Sequence, residues 1–77
     1  MSVRETVYEA VAEAFKLPQD QLKDEINLLD DLDAKSVNYF PVMNTLEEEY
    51  DLDIQYQAFR SNCRTIGDII AFVESEI

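Results

Sequence analysis

Across its seventy-seven residues the chain sets seventeen Asp and Glu against six Lys and Arg, a formal charge of −11, yet 47% of its residues are apolar. Charge of that sign and size repels nucleic-acid phosphates and anionic membranes and favours partners that present Lys and Arg. The apolar share excludes a disordered acidic tail, and the length predicts one small domain, residues 1–77, around a simple core.

Ser2-Val3-Arg4-Glu5 has the spacing of a capping box, and Val3, Val7, Ala10, Val11 and Ala14 then recur on one helical face. The spacing predicts a first helix running to about Phe15, stopped at Leu17-Pro18. From there to Lys35 the chain mixes Asp, Asn and Gln with Leu22, Ile26, Leu28, Leu29 and Leu32. It shows no clean period, and a connection of this length needs buried leucines to hold it down.

The next helix is predicted over Ser36–Tyr50, with Tyr39, Val42, Met43, Leu46 and Tyr50 on its core face. Val37, Phe40, Pro41, Asn44, Glu47 and Glu48 fall on the other face, where the first three gather apolar atoms beside Ser36. A proline at position 41 removes one helical bond. Either the first turn is distorted, or the regular helix begins near Phe40 with Pro41 in its first turn. A short helix is predicted over Tyr56–Asn62. Thr65-Ile66-Gly67-Asp68 opens a last helix with a stripe of Ile66, Ile69, Ile70, Val73 and Ile77. Three main helices and one short one make an all-α four-helix bundle, without strands or repeats.

Few of these residues have the makings of chemistry. Ser36 reads as an N-cap or as an acceptor of a modification. A hydrolase is excluded, because the chain has no histidine and its single glycine, Gly67, flanks no nucleophile. The segment from Asp31 starts like a calcium loop but has Lys35 at the fifth position, Ser36 at the sixth and Val42 at the twelfth, which rejects an EF-hand. Glu47-Glu48-Glu49 reads as a solvated charged face, and no metal is expected. Cys63, the single cysteine, forms no internal disulfide and reads as a small buried hydrophobe. A reducing, cytoplasmic setting and a monomeric state are the expectations. No apolar run reaches the ~18 residues of a membrane span, and nothing around Arg4 and Glu5 reads as a signal peptide.

Asp30-Asp31-Leu32-Asp33-Ala34-Lys35-Ser36-Val37, followed by Leu46-Glu47-Glu48-Glu49-Tyr50 and Ile54 and closed by Thr65-Ile66-Gly67-Asp68, resembles the acyl carrier proteins over essentially the whole chain. The resemblance implies a non-catalytic four-helix carrier whose serine, here Ser36, receives 4'-phosphopantetheine from coenzyme A through a phosphopantetheinyl transferase. The arm's terminal thiol then carries acyl groups as thioesters between loading and processing enzymes. It further implies that Glu47 and Glu48 meet basic docking patches while Val37 and Phe40 supply apolar contacts, with Lys35, Asn38, Pro41 and Asn44 in the same surface. Leu46, Ile54, Phe59 and Cys63 are implied as the lining of an acyl pocket.

The chain also departs from the family pattern. Asp33 stands where a glycine is common, Lys35 and Val37 flank the serine, and Asn38 and Pro41 replace acidic positions. These changes weaken the negative field beside Ser36 and predict a specialised carrier, of fatty acyl, polyketide or aminoacyl cargo, with its own set of docking enzymes. The competing expectation is an unmodified interaction module that uses the acidic Ser36–Tyr50 helix to bind a protein.

Overall fold

A computed structural model describes residues 2–77. Its helices are α1 (Val3–Phe15), α2 (Ser36–Tyr50), α3 (Tyr56–Asn62) and α4 (Ile66–Glu76), with a single 3₁₀ turn at Gln19–Gln21. The described residues contain no strand, only an isolated bridge between Asn27 and Thr65. The all-α bundle of three main helices and one short helix is therefore the fold, and α3 has the bounds that its sequence predicted.

Local chemistry sets the helix ends. Ser2 caps α1 by accepting from the Glu5 N–H at 3.1 Å. The reciprocal half of the box does not form, because the Ser2 hydroxyl itself donates to Glu5 Oε1 at 3.3 Å. At α4 the box is complete: Thr65 Oγ1 accepts from the Asp68 N–H, and Asp68 Oδ2 accepts from the Thr65 N–H. Two such bonds satisfy donors that a helix start otherwise leaves open, and the acidic Asp68 suits the positive end of the dipole. Helices α1 and α2 both end on a left-handed residue, Lys16 at φ 56° and Asp51 at φ 54°.

The core is one cluster. Val7, Val11, Leu28, Tyr39, Leu46, Phe59, Cys63, Ile66, Ile69 and Val73 are all but fully buried. Helix α1 lies at the centre, against both α2 and α4, whereas α3 leans more lightly on α2 and meets α4 through the Phe59–Phe72 ring pair. Of the predicted α2 core face only Tyr50 is half-exposed, and of the α4 stripe only Ile77 lies outside, 64% exposed.

The long connection before α2 is fastened rather than loose. Leu22 and Leu28 are buried, with Ile26, Leu29 and Leu32 packed against the cluster. Its backbone is stitched to the start of α4: Leu28 N–H to Arg64 O at 2.7 Å, Ile66 N–H to Ile26 O at 3.1 Å and Gly67 N–H to Asp24 O at 2.9 Å. A side chain at Gly67 would press its Cβ to 3.3 Å from that Asp24 carbonyl, which accounts for the glycine. Asp24 also accepts from Arg4 and Tyr8 of α1, so it joins the connection to two helices. No helix among the described residues is long and apolar enough to cross a membrane.

Candidate functional site

Ser36 is the first residue of α2, and everything leading to it is held. Ala34 is buried and its N–H bonds to Leu28 O at 2.9 Å. Asp33 is left-handed, φ 52°, at the position where the resemblance expects glycine, so the backbone makes the glycine-favouring turn with an aspartate. Lys35 then precedes the helix in extended conformation, its N–H donating to Asn38 Oδ1 at 3.0 Å. The N-cap is thus Lys35, not Ser36. Ser36 itself is exposed, and its hydroxyl makes no hydrogen bond among the described residues.

The helix is regular from Ser36 onward, with Pro41 inside it, so of the two expectations for the helix start the one beginning near Phe40 is set aside. Pro41 has no N–H to offer the Val37 carbonyl, at a residue that is 72% exposed. Phe40 is 47% exposed and packs on Tyr56 of α3, ring centroids 5.0 Å apart and tilted by 31°. An apolar strip of Val37, Phe40 and Pro41 therefore begins beside the serine and reaches α3.

The residues predicted for the docking face divide into two groups. Lys35, Val37, Phe40, Pro41, Asn44 and Glu48 are exposed. The Lys35 ammonium meets Asp33 at 3.4 Å, between well-exposed side chains, a pair that contributes little. Asn38 and Glu47 are half-buried and engaged internally. The Asn38 amide donates to Ala14 O of α1 at 3.3 Å, and Glu47 Oε2 accepts from the Ile54 N–H at 3.0 Å.

Leu46, Ile54, Phe59 and Cys63 all lie in the core. Burial, with a smaller contribution from Asp68, pushes the Cys63 thiol up to about 12, so it stays protonated and inert. None of the four lines the open cleft of about 370 Å³ found between the connection and α3, whose walls include Asn27, Asp30, Gln57, Arg60 and Arg64. Sequence reasoning missed this cleft, because its walls come from segments about thirty residues apart in the chain. It also missed the Tyr39 hydroxyl, buried without a partner, although a phenol on a core face always raises the question of its partner. Among the described residues no group of three or more His, Cys, Asp or Glu gathers as a metal site.

The described residues thus form a small acidic helical bundle that presents an exposed serine at a helix start. The family profile described as Phosphopantetheine attachment site matches residues 5–73, a span that includes Ser36. The acyl carrier protein of Streptococcus thermophilus (strain CNRZ 1066) is 33% identical over 76 residues, covering 99% of this chain and 97% of that one. Those of Streptococcus pneumoniae serotype 4 (strain ATCC BAA-334 / TIGR4) and of Sulfurovum sp. (strain NBC37-1) are 32% and 29% identical, each covering at least 97% of both chains. The chain belongs to the acyl carrier protein family, carriers that bear a phosphopantetheine prosthetic group.

Proposed function

We infer that residues 1–77 form one non-catalytic carrier domain, monomeric and cytoplasmic, that holds acyl intermediates as thioesters and passes them between enzymes of fatty acid, lipid or related specialised biosynthesis. The attachment point is Ser36. The observation that carries this reading is the exposed hydroxyl of Ser36, unbonded on a fixed lead-in and flanked by exposed Val37 and Phe40.

The residues present fit the arm. A phosphodiester on Ser36 lies at the positive end of α2, beside the N–H groups of Ser36 and Val37, which a helix start leaves without an intrahelical acceptor, and Lys35 adds a cation next to it. When bound, the arm supplies a thiol for thioester formation. In attachment the serine oxygen bonds to the pantetheine-side phosphorus of coenzyme A, the P–O bond of the pyrophosphate breaks so that adenosine 3',5'-bisphosphate leaves, and the serine proton passes to a base of the transferase, this chain having no histidine to take it. The exposed Val37, Phe40, Pro41, Asn44 and Glu48 then form the docking face, on which Glu48 meets basic residues of the loading and processing enzymes.

Intact mass tests the reading. Incubation with coenzyme A and a broad-specificity phosphopantetheinyl transferase adds one phosphopantetheine to the wild type and none to Ser36→Ala. No gain in the wild type refutes the attachment site and leaves the interaction module.

A further inference from the structure

Tyr39 follows Ser36 by one turn of α2 and is 1% exposed. Its ring stands edge-on to Tyr56 and Phe59 of α3, with centroids 5.9 and 6.1 Å away. Among the described residues its hydroxyl is the buried side-chain polar atom left without a hydrogen-bond partner. Leaving a donor unpaired in such a place costs stability, and phenylalanine would fill nearly the same volume without that cost. The folded chain alone gives the hydroxyl nothing to do.

The seam that it faces, between α2 and α3, is suited to opening. Helix α3 has seven residues, no side-chain cap at Gln55 and only light packing on α2, features of an element that opens at low cost. The outer end of the seam is the Phe40–Tyr56 pair, whose Phe40 is on the same helix as Ser36. Its inside is filled by Tyr39, Phe59 and the Phe72 ring that Phe59 meets at 5.9 Å, so a guest enters only as the helices part, and a short one displaces less packing than a long one. A saturated chain entering there would leave the phenol as unpaired as before.

We propose that the Tyr39 hydroxyl donates a hydrogen bond to the cargo on the Ser36 arm, and that this cargo is a short acyl chain bearing a hydroxyl or keto oxygen beyond its thioester carbonyl. The proposal rests on the carrier reading of Ser36. Burial raises the phenol's pKa, only partly countered by the charge of Arg60, so the group stays a neutral donor around neutral pH.

The test loads wild type and Tyr39→Phe with butyryl, 3-hydroxybutyryl and 3-oxobutyryl arms from the corresponding coenzyme A thioesters, with intact mass checked before each melt. Unloaded Tyr39→Phe melts higher than unloaded wild type, on the order of 4–8 °C for a domain of this size. In wild type the two oxygenated forms melt several degrees above the butyryl form, and in Tyr39→Phe that difference disappears. Equal melting of all three loaded wild-type forms overturns the proposal, as does a difference that survives in Tyr39→Phe. A lower melting point for unloaded Tyr39→Phe also overturns it, because the hydroxyl is then already paired, for instance with water. A ¹³Cζ-tyrosine spectrum of the wild type reads the same bond without a variant: the Tyr39 resonance moves between butyryl and 3-oxobutyryl forms, and an unmoved resonance counts against the bond. Failure of loading itself, seen by mass, defeats the carrier reading instead, and the cargo proposal with it.

Discussion

The side-chain amide of Asn38 donates to the Ala14 carbonyl at 3.3 Å while its oxygen accepts from the Lys35 N–H at 3.0 Å. One residue thus fixes the start of α2 both to its own lead-in and to the end of α1. Asn38→Ala removes both bonds, and at roughly 0.5–1.5 kcal/mol each the loss is about 1–3 kcal/mol. Urea denaturation reads it as a lower midpoint at unchanged slope. An unaltered midpoint would mean that the two bonds only replace equivalent ones to water.

Asp33 holds φ 52°, a conformation that a Cβ disfavours. Asp33→Gly relieves that strain, offset in part by a more flexible unfolded chain, for a net gain of about 0.5–1 kcal/mol. The surface contact with Lys35 is too exposed to reverse the sign. A lower melting point in the glycine variant would show that Asp33 contributes something besides its backbone.

Pro41 lies in the interior of α2. Pro41→Ala restores an N–H for the Val37 carbonyl and raises stability by about 1–3 kcal/mol, measured by the same denaturation curves. The variant also isolates the apolar role of the proline: weaker docking despite a firmer helix would assign Pro41 to the partner face.

Cys63 has its thiol pushed up to about 12 by burial. A raised folded pKa means that the native state keeps its proton while the unfolded thiol loses one, so stability is full below about pH 9 and declines as pH rises toward about 12. Cys63→Ala shows a shallower alkaline decline than wild type. At neutral pH an alkylating reagent reacts with Cys63 only at the rate of opening, and fast labelling of the folded protein refutes the burial argument.

Asp24 has its carboxyl held below the usual carboxylate range, first by its hydrogen bond from Arg4 and then by that from Tyr8. A lowered folded pKa contributes stability above the unfolded value of about 4, which is lost as pH falls through the folded one. Asp24→Asn therefore flattens the acid limb of a stability–pH curve below about pH 4. Curves that stay parallel there would remove Asp24 from the acid transition.

Those two titrations turn on contacts of very different legibility. The apolar stripes of α1 and α4, the Thr65 cap and the bounds of α3 all follow from residues within a few positions of one another, so the sequence discloses them. Asp24 reaches Arg4 and Tyr8 across a full connection, and no local pattern marks it among seventeen acids. Glu47 sits on the outward face by helical period and Asn38 joins the docking surface by the family resemblance, yet each side chain finds a backbone group at the helix margin and turns to it. The period describes where a Cα lies, and a polar side chain with several bonds of reach obeys the nearest unsatisfied group. Pro41 was ambiguous for a related reason: local preference opposes a proline there, whereas the packing of Tyr39, Val42 and Met43 holds the helix through it. Ser36 was conspicuous because its surroundings repeat a family pattern, not because any physical property of a serine singles it out.

Two hydrogen bonds flank α3, one to a side-chain carboxylate and one between backbone groups, and they bear on the cargo proposed to enter beneath it. Glu47 holds the N–H of Ile54 at one end, and the carbonyl of Arg64 holds Leu28 at the other. Between them α3 is a short strap buckled at both ends, so that opening beneath it takes the form of bowing outward unless one of the two bonds is released. For the cargo proposed above, the slack in that strap joins the filled interior in setting the size of a guest, and lengthening it by one or two residues is expected to relax that limit while leaving both buckles fastened.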